Sequence, residues 1–315
     1  MKNSLLKKIE NIPVPLLPTM VGAATLSNVY STMGYSLIRH LTMWTSTIIL
    51  IAYLVKIIAF RNTFKKEYSN TVPASLYAGF TMITMILGSY YFEYNNILGK
   101  SLWSIGLGLH TIHLLIFIYR NVVKGVNKDT FVPSWFVTFN GIMVSVVVGS
   151  PMNEPLISKI VLYYGILALV IIMPFMVIRL IKHPLKDAFY HTQAILLAPS
   201  SLCVVSYLNV VKEPNKIVIS LLYLVVFVTL LFVLYKLPGF FSFEFSPAFA
   251  GLTFPMAIGI VASVKMAGFL TNSGYEAIGN VVKQISGIQI YVTTAIIGYV
   301  LFNFFKMFLK SIKEK

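Results

Sequence analysis

Proline recurs through this chain on a beat. Pro13, Pro73 and Pro133 lie 60 residues apart, each near the start of an apolar segment of membrane-spanning length. After one skipped position near Tyr190 the pattern returns at Pro247. Five units of about 60 residues therefore fill nearly all of the 315 residues. Each unit has room for two helices of ~20 apolar residues and two short connections. This repeat restricts the chain to a set of like helical hairpins gathered about a common axis.

Charge content excludes an ordinary globular domain. Charged residues make up 11% of the chain and hydrophobic residues 57%, where a soluble domain carries about 25% charged residues. The apolar runs are continuous and do not alternate, so they read as helices and not as strands of a membrane barrel. The net charge of +15 sits between the runs, where it orients a protein in a bilayer and does not form a nucleic-acid footprint. Cys203 is the only cysteine, so there is no internal disulfide and no cysteine metal cluster. The N-terminal stretch is basic but lacks the apolar core of a cleaved signal peptide.

Ten spans are expected, at about 14–33, 41–60, 73–92, 98–119, 133–150, 157–179, 190–210, 216–235, 247–268 and 285–309. Alternating the connections between two sides puts 17 Lys and Arg on one side. The other side receives six: Arg39, Lys100, Lys159, Lys212, Lys216 and Lys283. By the positive-inside rule both termini are cytoplasmic. The expected organisation is one transmembrane domain over 1–315, with short cytoplasmic tails at about 1–12 and 310–315.

Odd-numbered and even-numbered spans differ in kind. The first carries Pro13, Pro15, Pro18 and Gly22, the seventh Pro199 and Ser200, and the ninth Pro247, Gly251, Pro255 and Gly259. Proline removes a backbone donor and kinks a helix. Such breaks are tolerated at membrane depth where protein or a water-filled cavity satisfies them. The sixth and eighth spans are smoother and bulkier and suit a lipid-facing shell. The expectation is an all-α integral membrane protein of five helical hairpins, with odd helices around a pore and even helices outside. The competing reading is that these small and kinking residues serve close helix packing alone.

The ten acidic residues lie in connections, tails or span edges. That weighs against cation pathways and carboxylate proton relays, which need acidic groups at depth. A neutral lining of Ser, Thr, backbone dipoles and aromatic edges instead suits anions. Lys265 stands in the outer part of the ninth span; it either concentrates anions at the outer mouth or snorkels to the headgroups. Lys56 is expected to snorkel. His110 and His113 lie at i and i+3 on the fourth span; without a recognisable third ligand, packing histidines are expected and not a metal site. His191 is expected near the interface. No nucleotide-binding, metalloprotease or hydrolase motif is present, so neither an enzyme nor a cofactor is expected.

Four stretches carry a family resemblance: IPVPLLPTMVGA near the start, PSWFVTFNGI at Pro133–Ile142, LLAPSSLCVVSY at Leu196–Tyr207 and SPAFAGLTFPMAIGIVAS at Ser246–Ser263. With the ten-span plan they make the chain resemble the tellurite-resistance/dicarboxylate transporter family, which includes bacterial TehA and the plant slow anion channels. The resemblance implies five hairpins, odd helices inside, a homotrimer with one pore per subunit, and a phenylalanine of the ninth helix blocking each pore. That phenylalanine maps onto Phe254. The long phosphorylated tails of plant members have no counterpart in these short tails. The expected function is an anion channel passing chloride, nitrate or similar anions through a bacterial cytoplasmic membrane. The alternative is a secondary transporter of dicarboxylates, sulfite or tellurite-type oxyanions. The expected partners are small anions, the lipid bilayer and further copies of the chain.

Overall fold

Prolines and glycines set where the helices begin and turn. The computed structural model describes residues 7–313; the tail residues Lys2, Glu314 and Lys315 counted above lie outside the described residues. The helical segments are α1 (Leu16–Thr32), α2 (Ser36–Ala59), α3 (Thr71–Phe92), α4 (Asn96–Val123), α5 (Trp135–Val147), α6 (Pro155–Lys182), α7 (Asp187–Val210), α8 (Lys216–Phe240), α9 (Pro247–Asn272) and α10 (Glu276–Lys313). A short helix, Arg61–Ser69, lies between α2 and α3. Among the described residues there is no strand. α1 follows its Pro13/Pro15 pair, and α6 and α9 open on Pro155 and Pro247, whose missing N–H costs nothing in a first turn. The α1–α2 and α9–α10 turns pass through Gly34 (φ 94°) and Gly274 (φ 85°), left-handed conformations that favour glycine.

Eight of these helices are long and apolar enough to cross a bilayer: α2, α3, α4 and α6 to α10. α1 has 17 residues, because Pro13 and Pro15 hold its entry outside the helix. α5 is broken into an α turn at Trp135–Phe139, a 3₁₀ turn at Gly141–Met143 and an α turn at Val144–Val147. The break falls at Asn140–Gly141, where Asn140 turns its amide to the Gly165 carbonyl of α6 (2.9 Å).

Burial separates the helices into two groups. The most apolar window of α3 is 78% buried and that of α7 83%, against 22% in α2 and 33% in α8. Every residue of α1 from Leu17 to Ser27 is buried, as is every residue from Val132 to Val146 around α5. Packing neighbours form a closed cycle, with α1 on α3, α3 on α5, α5 on α7, α7 on α9 and α9 back on α1. Each even helix packs on the helix before it and on the next member of that cycle: α2 on α1 and α3, α10 on α9 and α1. Small residues permit the closest approaches. A Cβ at Gly88 of α3 would lie 2.5 Å from the Trp103 nitrogen of α4.

The polar groups collect at two ends. One end carries the pairs Arg39–Glu93 (2.6 Å) and Lys100–Glu154 (2.6 Å). The other carries Lys56–Glu67 (2.8 Å) and Lys186–Asp129 (3.4 Å). None of these pairs joins residues that the alternation of connections assigns to different sides.

Lys56 departs from expectation. It does not snorkel: its side chain is fully buried, and its ammonium donates to the Ile12 carbonyl (2.7 Å) and to Glu67 (2.8 Å). Glu67 also accepts from the Tyr77 hydroxyl of α3, and Tyr53 of α2 donates to the Pro13 carbonyl (2.6 Å). The short helix Arg61–Ser69 brings Glu67 back over Lys56, so a neutralising partner reaches the ammonium before the headgroups do. Removing one partner of a buried ion pair leaves an uncompensated charge and costs about 3–5 kcal/mol. Lys56→Met should therefore lower the unfolding temperature in detergent clearly, and Lys56→Met/Glu67→Leu should regain part of the loss. Wild-type stability in the single variant would show that the network is dispensable.

Candidate functional site

α9 changes its winding where the ninth span was expected to be special. Pro247–Leu252 is a 3₁₀ segment, and the α-helix begins at Thr253. Pro255 has no N–H to give the carbonyl four residues back. The Thr253 hydroxyl donates to Ala250 (2.8 Å) within α9 and lies 3.3 Å from the Pro18 carbonyl of α1. Against this junction α1 presents Gly22, where a Cβ would stand 2.6 Å from the Phe254 nitrogen and 2.7 Å from the Thr253 carbonyl carbon. The backbone that carries Phe254 is thus wedged against α1, with a glycine making the contact possible.

Two cavities meet at Phe254, and it is the only residue that lines both. The first holds about 20 Å³, room for about one water, and is bounded by Pro18 of α1, Met82 of α3, Phe136 of α5, Ala198 of α7, and Gly251 and Pro255 of α9. Its walls come from all five odd helices and from no even helix, and they are apolar. The second holds about 250 Å³ on the Arg39 side and is lined by Thr25, Asn28 and Thr32 of α1, Ile86 of α3, Val144 of α5, and Ile258 and Lys265 of α9. Phe254 itself is 5% exposed.

The residues singled out from sequence fall into two sets. Phe254, Pro18, Gly251, Pro255 and Lys265 border one cavity or the other. Pro15, Gly22, Pro199, Ser200 and Gly259 are not among the lining residues. Gly259 lies against Leu197 and Gln289, with a Cβ there 3.1 Å from a Leu197 methyl. The Ser200 hydroxyl lies 3.3 Å from the Leu197 carbonyl of its own helix. Gly251 lies close to the His191 carbonyl of α7, 2.7 Å from where a Cβ would stand. Most of the inner lining falls within the four stretches that carry the resemblance, and only Leu76, Met82 and Ile195 lie outside them.

The broken α5 explains residues whose role the sequence left open. His110 of α4 donates from Nε2 to the Thr138 carbonyl (2.9 Å) and pairs through Nδ1 with Thr81 of α3 (2.7 Å). His113 pairs with the Thr138 hydroxyl (3.1 Å) and with Tyr68 (2.6 Å). Trp103 donates to the Ser145 carbonyl (3.0 Å). Carbonyls near the break in α5 are thereby paired from α4, as they must be where no water is available. His191 does the same at the end of α8, its Nε2 donating to the Phe240 carbonyl (3.0 Å). Among the described residues no three His, Cys, Asp or Glu side chains are placed to share a metal.

Apolar membrane-length helices around a core of broken helices define a multi-pass helical membrane protein. The sequence matches the voltage-dependent anion channel (SLAC1) family over residues 12–308, and the chain belongs to that family, the tellurite-resistance/dicarboxylate transporter family. Its members are anion channels or transporters. None of the curated proteins matches the chain.

The histidine geometry makes its own prediction. His110→Ala strands the Thr138 carbonyl in a dry core, at a cost of about 1–3 kcal/mol. Thermal unfolding in detergent should show that loss to the same extent with zinc and with a chelator. A loss that appears only when metal is present would return His110 and His113 to the role of ligands.

Proposed function

We propose that this protein is an anion channel in which the ten helices cross a bacterial cytoplasmic membrane as five hairpins. The odd helices line one pore per subunit, and the subunits assemble as a homotrimer. The Lys56 end carries the excess of Lys and Arg and faces the cytoplasm; the Arg39 end faces outward. The pore passes chloride, nitrate and similar monovalent anions down their gradient, and the Phe254 ring closes it.

The observation that carries this reading is the place of Phe254 as the one side chain bordering both cavities. A phenyl ring above a dry, apolar chamber of about 20 Å³ excludes a hydrated ion, because such a constriction blocks by dewetting. The break at Pro255 supports a plug that moves, since the α9 backbone beside the ring lacks a full set of helical hydrogen bonds. The anion preference rests on family membership, on the want of acidic side chains in either cavity, and on Lys265 in the outer one. A carrier that clamps dicarboxylates would need a bidentate cation at the site. The nearest guanidinium at the outer end, Arg39, is already held by Glu93 and Asn28.

Planar-bilayer currents of purified protein test the gate. Phe254→Ala should raise anion conductance at least ~10-fold, the effect of lowering a barrier by about 1.4 kcal/mol, with anion over cation selectivity retained. A folded variant whose current equals the wild type removes Phe254 as the gate. Silent bilayers combined with saturable uptake of dicarboxylate or sulfite into liposomes would move the assignment to a carrier.

A further inference from the structure

We propose that the outer cavity is a binding site for a small monovalent inorganic anion, formed by the Lys265 ammonium and the amino group of Asn28. The inference deepens the channel reading and rests on it for the direction in which anions arrive. Four polar side chains line this cavity: Thr25, Asn28, Thr32 and Lys265. The two threonines have spent their protons, Thr25 on the Val21 carbonyl (2.8 Å) and Thr32 on the Val29 carbonyl (2.7 Å). That leaves Asn28 and Lys265 as the donors a guest meets.

Asn28 is held in the orientation an anion needs. Arg39 Nε lies 2.8 Å from the Asn28 side chain. A guanidinium only donates, so the atom it meets is Oδ1. The amino end, with its two N–H donors, is the unpaired end of a side chain that borders both this cavity and the wider one beside it. Arg39 is in turn fixed by both oxygens of Glu93 (2.8 and 2.6 Å). Glu93 and Arg39 are the only charged residues lining the wider cavity, and they cancel each other. Lys265 pairs with no carboxylate among the described residues. The combined cavity therefore carries one net positive charge.

Helix geometry sets Lys265 about 7 Å beyond Asn28 along the two helices, which run the same way. Gly22 of α1 abuts Phe254 of α9. Asn28 stands six residues further along α1, ~9 Å above that contact, and Lys265 eleven residues along α9, ~16 Å above it, at 1.5 Å per residue. Side chains lean toward the N-terminus of their helix, which on α9 is the direction of Phe254. A ~6 Å lysine stem that follows this lean spans most of the offset to Asn28, and Lys265 lines the cavity that Asn28 lines. One cation and one amide match a single charge and not a dicarboxylate. The site stands above the plug, so it gathers anions without trapping them in the narrow part.

The test uses full-length protein in detergent and reads its unfolding temperature against nitrate at constant ionic strength, with gluconate as the balancing anion. Binding to the folded state raises that temperature. The half-maximal nitrate concentration should rise roughly fivefold in Lys265→Gln, as expected for losing one close unit charge in a wet vestibule, and stay near wild type in Lys265→Arg. Asn28→Asp, which keeps the acceptor for Arg39 but replaces the amino donors with a charged oxygen, should abolish the response. The same midpoint in wild type, Lys265→Gln and Asn28→Asp overturns the site. This titration needs no current, so a failed gate, seen as unchanged conductance in Phe254→Ala, is told apart from a failed site.

Discussion

A backbone carbonyl released inside a bilayer has no water to turn to, and the architecture follows from how this protein meets that constraint. Its inner helices are the broken ones. α5 loses its regular winding at Asn140 and α9 changes winding at Thr253. Both breaks lie in the buried group of helices; at the α5 break a neighbour supplies the donors, and at the α9 junction the Thr253 hydroxyl donates to Ala250 of its own helix. Trp103 and His110 of α4 serve Ser145 and Thr138 of α5. The exchange runs both ways: α4 donates to α5, while Asn140 of α5 and His191 of α7 donate to the Gly165 and Phe240 carbonyls of α6 and α8.

That division gives the proposed pore its chemistry. Helices kinked by proline and thinned by glycine approach closely enough for Gly22 to touch the backbone of Phe254. Close approach leaves an inner cavity of only about 20 Å³ with apolar walls, and the Phe254 ring separates it from the larger, partly polar outer cavity. A narrow apolar neck places almost no attraction on an ion. Attraction is left to the mouth, where the unpaired Lys265 and an Asn28 oriented through Arg39 and Glu93 face the wider space. The opposite end is braced differently, by the buried Lys56–Glu67 pair that ties the entry to α1 onto α2 and the short helix. The segment leading to Pro18, a wall of the inner cavity, is thus anchored just before it enters the core.

Several sequence readings and the structure diverge for reasons that can be named. Proline and serine positions in the odd spans mark where helices bend, but bending does not decide facing. Pro199, Ser200 and Gly259 lie on odd helices yet do not line the cavities; Gly259 packs on Leu197 and Gln289, and the Ser200 hydroxyl turns to the Leu197 carbonyl of its own helix. The polar inventory expected along the passage is largely consumed by bonds to the serine's or threonine's own helix, an economy that a residue count cannot reveal. Lys56 looks like a snorkelling lysine until the short helix folds Glu67 over it.

The sequence by itself determined the helical class, the approximate course of the spans, the separation of charge to two ends and the family, while the tenth helix begins at Glu276, nine residues before the expected 285. These follow from local chemistry: continuous apolar runs, prolines without N–H groups, glycines at left-handed turns and lysines kept out of lipid. It also singled out Phe254, through the Phe–Pro step in a stretch rich in small residues and the family resemblance. Only the tertiary structure decided which sides of the odd helices face the cavities, which carbonyls the histidines and Trp103 serve, and that Asn28 and Lys265 border the same cavity. Those facts depend on the rotation of each helix about its axis and on neighbours far apart in the chain, and packing among all the helices sets both.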